Sequence, residues 1–135
     1  MDNSLKILLV DDSDVHLMIA ENILKEKYNV ITAKSGKDAL ALLAKDKLVP
    51  SLILLDVLMP DMDGWEVYNK LKGISLLQNV PVAFLTSLDG EKEKLYASRL
   101  GAADLITKPY DSTELLKRVE TILAKAKTSQ TAKTA

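Results

Sequence analysis

The 135-residue chain contains no cysteine, a single histidine and few aromatic residues. The absence of cysteine excludes disulfides, thiolate zinc sites and cysteine nucleophiles, and it suits a reducing compartment. An excess of charge of one sign is also lacking, because 18 basic residues oppose 19 acidic ones and leave a net charge of −1. Such a balance offers no overall attraction to nucleic acid or anionic lipid. We therefore expect neither direct nucleic-acid binding nor membrane binding.

Long hydrophobic runs are missing as well. The first apolar run covers residues 7–10 and is closed at once by Asp11 and Asp12. It is too short for a membrane span or for the core of a signal peptide, so we expect a cytoplasmic protein. The chain is long enough to bury a core of its own, and a single domain is the expected organisation.

Short apolar runs alternate with amphipathic stretches. Five runs are candidate strands, at residues 7–10, 30–33, 52–55, 82–85 and 105–107. Most are apolar on both faces, as in a parallel sheet covered by helices on two sides. Helix start signals lie between them, at the pairs Ser35/Asp38, Asp63/Glu66 and Asp111/Glu114, and Gly101 stands where a helix C-cap is expected. The pattern predicts an α/β fold, (βα)5, with a doubly wound parallel five-stranded sheet.

The last residues differ from the rest in composition. Residues 125–135 are small and polar and show no apolar periodicity. Such composition favours a frayed helix end followed by a flexible tail or linker. We therefore expect the folded domain to cover residues 1–124, with too few residues after it for a second domain.

Chemistry-bearing residues follow four of the five predicted strands. Asp11 and Asp12 follow the first, Asp56 follows the third, Thr86 comes at the end of the fourth and Lys108 follows the fifth. Because sites in open α/β sheets form beyond the carboxyl ends of strands, we expect these side chains to meet at one edge. Carboxylates at close range repel one another, and a hard cation such as Mg²⁺ relieves that repulsion. A hydroxyl and an ammonium nearby would neutralise phosphoryl oxygens.

Each of these residues alone has an ordinary explanation. An acidic residue after a strand is often a helix cap or part of a solvated turn. A strand-end threonine often bonds to backbone, and a single lysine is usually solvated. Their joint placement at four strand ends is what favours a functional site.

The motifs around these residues resemble the receiver domains of two-component response regulators. The matching segments are residues 9–12 (Leu-Val-Asp-Asp), 54–64 (Leu-Leu-Asp-Val-Leu-Met-Pro-Asp-Met-Asp-Gly), 84–87 (Phe-Leu-Thr-Ser) and 107–109 (Thr-Lys-Pro). The resemblance spans about residues 4–124, and the second segment is its most specific part. It implies a flavodoxin-like fold with strand order 2-1-3-4-5.

The resemblance also implies a role for each matching residue. Asp56 would be the phosphoacceptor. Mg²⁺ (or Mn²⁺) would be bound by Asp12, Asp56 and the main-chain carbonyl of Leu58, with Asp11 reaching it mainly through water. Thr86 would bind a phosphoryl oxygen.

Lys108 would bind phosphoryl oxygens together with that threonine, and the bond from Lys108 to Pro109 would be cis. The implied function is a phosphorylation-dependent signalling switch. It would take its phosphoryl group from a histidine kinase or a histidine phosphotransfer protein. It would then alter a face formed by the fourth helix, fifth strand and fifth helix, which a downstream output protein or a fused output domain reads. Such a domain assists its own phosphorylation and slow dephosphorylation but is not an enzyme in the usual sense.

One leucine departs from the usual receiver pattern, and two others are expected to affect dephosphorylation. Leu105 stands where most relatives carry an aromatic switch residue, so the aromatic readout is in question. By the resemblance, Leu58 and Leu88 would flank the path of the water that hydrolyses the phosphorylated aspartate. Neither side chain can orient that water, and both can exclude it, so we expect them to tune the rate of dephosphorylation.

Three other functions compete with the switch. A haloacid-dehalogenase-type phosphatase needs a second aspartate where Leu58 stands. A flavodoxin-like cofactor binder needs a glycine-rich loop after the first strand, and Asp11 and Asp12 stand there instead. A receiver-shaped adaptor that works without phosphorylation stays open as the alternative.

His16 is expected to be an ordinary helical residue, with kinase contact as its alternative, and Trp65 is expected to pack.

Overall fold

The computed structural model describes residues 5–88 and 90–134, with side chains described as far as residue 126. The strands are β1 (Lys6–Val10), β2 (Asn29–Ala33), β3 (Leu52–Leu55), β4 (Val82–Thr86) and β5 (Asp104–Thr107). The helices are α1 (Asp14–Leu24), α2 (Gly36–Leu40, continued by π-helical turns over Ala41–Lys45), α3 (Gly64–Leu71), α4 (Glu91–Leu100) and α5 (Ser112–Thr134). The sheet has the order β2-β1-β3-β4-β5 with every pairing parallel, which confirms the predicted fold class.

Four of the five helices begin at a residue whose side chain caps the helix, and α4 begins after Gly90 without such a cap. Ser35, Asp63 and Asp111 each accept a hydrogen bond from the backbone N–H three residues later, at 3.0, 3.0 and 2.7 Å, as the spacing predicted. Ser13 caps α1 in the same way, which the sequence pattern did not indicate. Gly101 ends α4 with φ 91°, a left-handed conformation that glycine adopts without strain. Local hydrogen bonds therefore set where these four helices start relative to the preceding strands.

Two apolar clusters lie on opposite faces of the sheet. Successive strand residues point to opposite faces, so β1 contributes Leu8 and Val10 to one cluster and Ile7 and Leu9 to the other. Helical residues complete the clusters: Ala39, Leu43, Val67, Tyr68, Leu71 and Ala97 on the first face, and Leu17, Ala20, Leu24, Leu115, Val119 and Ile122 on the second. Each fully buried aliphatic side chain contributes about 1.5–3 kcal/mol to the stability of the folded state. The sheet, packed between the two clusters, is therefore a rigid support for the residues at its edge.

Helix α5 runs to Thr134, so its backbone includes most of the segment from residue 125 onward. The division between a domain over residues 1–124 and a tail or linker after it stays a prediction. No helix in the part of the chain that the structure describes is long and apolar enough to cross a membrane.

Gly64 lets the start of α3 approach the end of β3. Its N–H donates to the carbonyl of Val57 at 2.9 Å. A Cβ atom at this position would collide with the carbonyl oxygen of Asp56 and would lie 2.8 Å from the Cα of Val57. Both obstacles are backbone atoms, so they cannot move aside as a flexible side chain could.

We expect Gly64→Ala to lower the free energy of unfolding by about 1–3 kcal/mol, the usual range for overpacking. Gly73→Ala is the matched control, because Gly73 is exposed and a Cβ there would lie 3.3 Å from the nearest atom, the carbonyl oxygen of Lys70. Urea unfolding of both variants checks the expectation. Equal effects of the two substitutions would contradict the close approach at Gly64.

Candidate functional site

The carboxyl ends of β1, β3 and β5 meet and bring four predicted site residues together. Asp11 and Asp12 follow β1, Asp56 follows β3 and Lys108 follows β5. One carboxylate oxygen of each aspartate lies within 4.8 Å of the corresponding oxygens of the other two. Asp11 and Asp56 are buried, whereas Asp12 is exposed. The acidic cluster therefore has two fixed members and one that faces solvent.

Backbone hydrogen bonds fix the two buried aspartates. The N–H of Asp11 donates to Ala33 at 3.1 Å and that of Asp56 donates to Val10 at 2.9 Å, so each continues the bonding pattern of its strand. The Oδ1 atom of Asp11 accepts a hydrogen bond from the N–H of Ser13 at 3.0 Å. These bonds aim the other oxygen of Asp11 into the site.

Lys108 supplies the positive charge of the site. Its Nζ atom lies 2.7 Å from Oδ2 of Asp11 and 3.6 Å from Oδ2 of Asp56, and its side chain is only 11% exposed. Its backbone N–H donates to the carbonyl of Thr86 at 2.8 Å, which ties the loop after β5 to the end of β4. The bond from Lys108 to Pro109 is cis, as the resemblance implied. The ammonium therefore neutralises part of the acidic charge and lies closer to Asp11 than to Asp56.

The charge balance of the site remains negative and changes the titration of Asp56. Burial raises the pKa of the Asp56 carboxyl to about 6, the negative charge of Asp11 contributes to the increase, and Lys108 opposes it. In the absence of a cation, keeping Asp56 ionised therefore costs free energy. At neutral pH the carboxyl is nevertheless mostly ionised.

The oxygen-only donor set of this cluster fits Mg²⁺. Carboxylate oxygens are the ligands that Mg²⁺ prefers, and two oxygens bound to one ion at about 2.1 Å lie at most about 4.2 Å apart. The three carboxylates already lie within 4.8 Å of one another. Small side-chain movements would let Asp12 and Asp56 share one ion, and the exposure of Asp12 leaves room for water ligands.

The other predicted site residues lie on β4, on β5 and in the loops after β3 and β4. Thr86 is fully buried at the end of β4, and its hydroxyl accepts a hydrogen bond from the N–H of Leu88 at 3.3 Å. Leu105 pairs with Phe84 in the sheet and packs, partly buried, against the first apolar cluster. Leu58 is 53% exposed, whereas Leu88 packs against the same cluster. The two leucines predicted to tune dephosphorylation are therefore not equivalent, because only Leu58 projects into solvent.

The sequence did not indicate how closely His16 approaches the site. Its Nδ1 atom lies 2.9 Å from Nζ of Lys108 and 3.6 Å from Oδ2 of Asp11. The only signal was its position in the first turn of α1, directly after the acidic pair. Trp65 packs as predicted, with its ring centroid 4.5 Å from that of Phe84 and 4.8 Å from that of Tyr96.

A flavodoxin-like sheet that gathers three carboxylates and a lysine at its strand ends is the arrangement of receiver domains, which are phosphoacceptor signalling modules rather than classical enzymes. The chain belongs to the response regulator receiver domain family, whose model matches residues 7–120. The acidic triad is typical of the metal site of such receivers.

Individual relatives agree with this assignment. The chain is 41% identical over 120 residues to Response regulator PleD of Caulobacter vibrioides. The match covers 88% of this chain and 26% of that protein. The chain is 34% identical to Protein PilH of Pseudomonas aeruginosa. That match covers 88% of this chain and 98% of PilH. Among solved structures, the Vibrio cholerae chemotaxis protein CheY4 matches with a TM-score of 0.81 at 30% identity, over 87% of this chain and 98% of that one. The chain thus spans about a quarter of PleD and nearly all of PilH.

We expect Asp56→Asn to stabilise the metal-free protein at pH 7.5 by about 1–3 kcal/mol, because one pKa unit corresponds to about 1.4 kcal/mol. The folded protein raises the pKa of Asp56 from 3.8 to about 6. The wild type therefore loses stability as pH rises through that interval, and the variant does not. The gain should shrink at pH 5. Urea unfolding in EDTA checks this, with Asp46→Asn as an exposed control; a gain independent of pH would contradict the argument.

Proposed function

We propose that this chain is a phosphorylation-dependent switch in which Asp56 accepts a phosphoryl group from the phosphohistidine of a histidine kinase or a histidine phosphotransfer protein, with Mg²⁺ bound. The observation that carries the proposal is the position of Asp56. It is buried at a strand end, lies within 4.8 Å of the carboxylate oxygens of Asp11 and Asp12, and has Nζ of Lys108 at 3.6 Å. Membership of the receiver family supports a histidine kinase as the class of partner.

The proposed reaction transfers one phosphoryl group between the two proteins. A carboxylate oxygen of Asp56 attacks phosphorus, a P–O bond forms, and the P–N bond to the partner's imidazole breaks with its electron pair left on nitrogen. A bound Mg²⁺ supplies positive charge that stabilises the transferring group. Asp12, Asp56 and the carbonyl of Leu58 would hold that ion, with Asp11 reaching it through water.

Lys108 and Thr86 would then bind the phosphoryl oxygens. The ammonium of Lys108 lies 2.7 Å from Asp11 and 3.6 Å from Asp56, so a small movement would bring it into contact with a phosphoryl group on Asp56. The hydroxyl of Thr86, which is buried against Leu88, would have to turn toward the phosphoryl group. Each of these charge-assisted hydrogen bonds is about twice as strong as a neutral one. Together they can supply the differential of about 3–5 kcal/mol that moves a two-state equilibrium most of the way across.

The proposed output face comprises α4, β5 and α5. Leu105 lies on this face in place of the usual aromatic residue and packs against the first cluster. It has no ring to rotate inward, so we expect a smaller rearrangement there than in aromatic relatives. A downstream output protein or a fused output domain would read the change.

The central test is intact-mass measurement after incubation with acetyl phosphate and Mg²⁺. We expect one added phosphoryl group on the wild type and none on Asp56→Asn, because that variant lacks the nucleophilic oxygen. We also expect little or no adduct in EDTA and a strong loss in Asp12→Ala, because both remove the metal.

Two results would count against the switch. Absence of any adduct on the wild type, with both acetyl phosphate and a phosphorylated phosphotransfer protein as donors, would favour an adaptor that works without phosphorylation. An adduct that survives in Asp56→Asn would place the phosphoacceptor elsewhere.

We expect the phosphorylated form to be long-lived and Leu58→Asn to shorten its lifetime by about threefold to tenfold. Hydrolysis needs a water placed in line behind phosphorus, and one good orienting contact is worth roughly a factor of ten. Leu58 is the better test than Leu88, because it is 53% exposed and its replacement removes no packing against the cluster. Decay of the adduct at constant Mg²⁺ provides the measurement.

Leu76→Asn is the matched control for this lifetime experiment. Leu76 is an equally apolar residue, 61% exposed, in the turn before the amino end of β4. We expect its replacement to leave the decay unchanged. A decay in Leu58→Asn that is unchanged or slower would show that water exclusion does not set the lifetime.

A further inference from the structure

His16 approaches the site from a helix that carries none of the predicted phosphoryl-binding residues. It lies in the first turn of α1, where its backbone N–H donates to the capping hydroxyl of Ser13 at 3.3 Å. From there its imidazole reaches the loop after β5, with Nδ1 at 2.9 Å from Nζ of Lys108. The contact therefore joins two elements that are 92 residues apart in the chain.

The chemistry of the two groups sets the direction of this hydrogen bond. A lysine ammonium has three N–H donors and no acceptor. Nδ1 of His16 must therefore accept, and the proton of the neutral ring is on Nε2. The separation of 3.6 Å between the same Nδ1 and Oδ2 of Asp11 is too long for a hydrogen bond, so the short contact of Nδ1 is the one with the ammonium.

The contact gives the ammonium of Lys108 a second short partner. Asp11 lies at 2.7 Å, His16 at 2.9 Å and Asp56 at 3.6 Å. The four-carbon stem of a lysine has several rotamers, and the ammonium is a point charge whose position depends on its partners. Asp11 alone would leave the ammonium free to pivot about one contact, whereas His16 adds a second contact beside the first, with its Nδ1 atom 3.6 Å from Oδ2 of Asp11, and so limits that movement.

We propose that His16 is a positioning residue, which accepts a hydrogen bond from Lys108 and keeps its ammonium in reach of a phosphoryl group on Asp56. The inference rests on the proposed function, since it assigns His16 a part in that same phosphoryl transfer. When Lys108 turns from Asp11 to a phosphoryl oxygen, its bond to the neutral ring can persist without like-charge repulsion. The imidazole side chain is 48% exposed, so we expect a moderate effect rather than an essential one.

Phosphorylation by a small donor separates this role from contact with a kinase. Phosphoramidate makes no use of a protein docking surface, so a residue that only contacts the kinase leaves its reaction rate unchanged. We expect His16→Ala to slow adduct formation from phosphoramidate about threefold to tenfold at saturating Mg²⁺, as loss of one orienting contact does. His16→Asn should restore most of the rate, because its amide oxygen can accept near the position of Nδ1.

Two further variants complete the design. Ile19 lies on the same helix and lines a cleft together with His16 and Lys108, and it is 45% exposed. Ile19→Ala removes an apolar side chain there but no polar contact, so this variant should react like the wild type. In a Lys108→Ala background, His16→Ala should cause no further loss, because interacting residues are not additive. Equal rates for wild type and His16→Ala, failure of His16→Asn to restore the rate, or full additivity with Lys108→Ala would each overturn the proposal.

NMR of the unphosphorylated protein tests the contact independently of phosphorylation. We expect the ring-nitrogen shifts of His16 to report a proton on Nε2 and to change in Lys108→Ala. A proton on Nδ1, or shifts indifferent to Lys108→Ala, would overturn the inference. If the wild type forms no adduct, the proposed function fails and the positioning role with it, whereas a normal adduct on the wild type with unchanged rates in the variants overturns the positioning role alone.

Discussion

The attraction between one ammonium and the acidic cluster is the interaction on which the site depends. Asp11, Asp12 and Asp56 place three carboxylates within 4.8 Å of one another, two of them buried. Burial and mutual repulsion both oppose their ionisation. Lys108, almost buried beside them, offsets part of that cost but leaves the site short of positive charge. A cation would supply the missing charge, and the proposed phosphoryl group would then be held through that cation and the lysine.

The surrounding fold holds these groups at fixed distances. The backbone of Asp11 and Asp56 is bonded into the sheet, whose two faces are covered by separate apolar clusters. Gly64 allows α3 to begin directly against the backbone of Asp56. Lys108 comes from the opposite end of the chain, and its backbone bond to Thr86 joins the last two strand ends. Rigid packing therefore converts residues distant in sequence into one electrostatic unit.

Three aromatic side chains pack together next to Leu105. Leu105 replaces the ring on β5, while Trp65 of α3 packs against Phe84 and Tyr96. Phe84 is also the neighbour of Leu105 in the sheet. The ring contacts thus connect α3, β4 and α4 beside the proposed output face, and any rearrangement of Thr86 takes place two residues from their centre at Phe84.

The sequence determined the elements and which charged residues meet at the strand ends, whereas the tertiary structure alone decided the distances between them. Apolar periodicity and capping spacing depend on neighbours in the chain, so all five strands and three helix starts were predictable. The meeting of Asp11, Asp56 and Lys108 followed from the rule that parallel strands end at one edge. Three features depend on strand order, helix placement and side-chain rotamers across the fold. They are the shorter distance of Lys108 to Asp11 than to Asp56, the contact of His16 with Lys108, and the inward packing of Leu88. Local patterns carry no record of such contacts, because the groups that make them are brought together only when the sheet and its helices are packed.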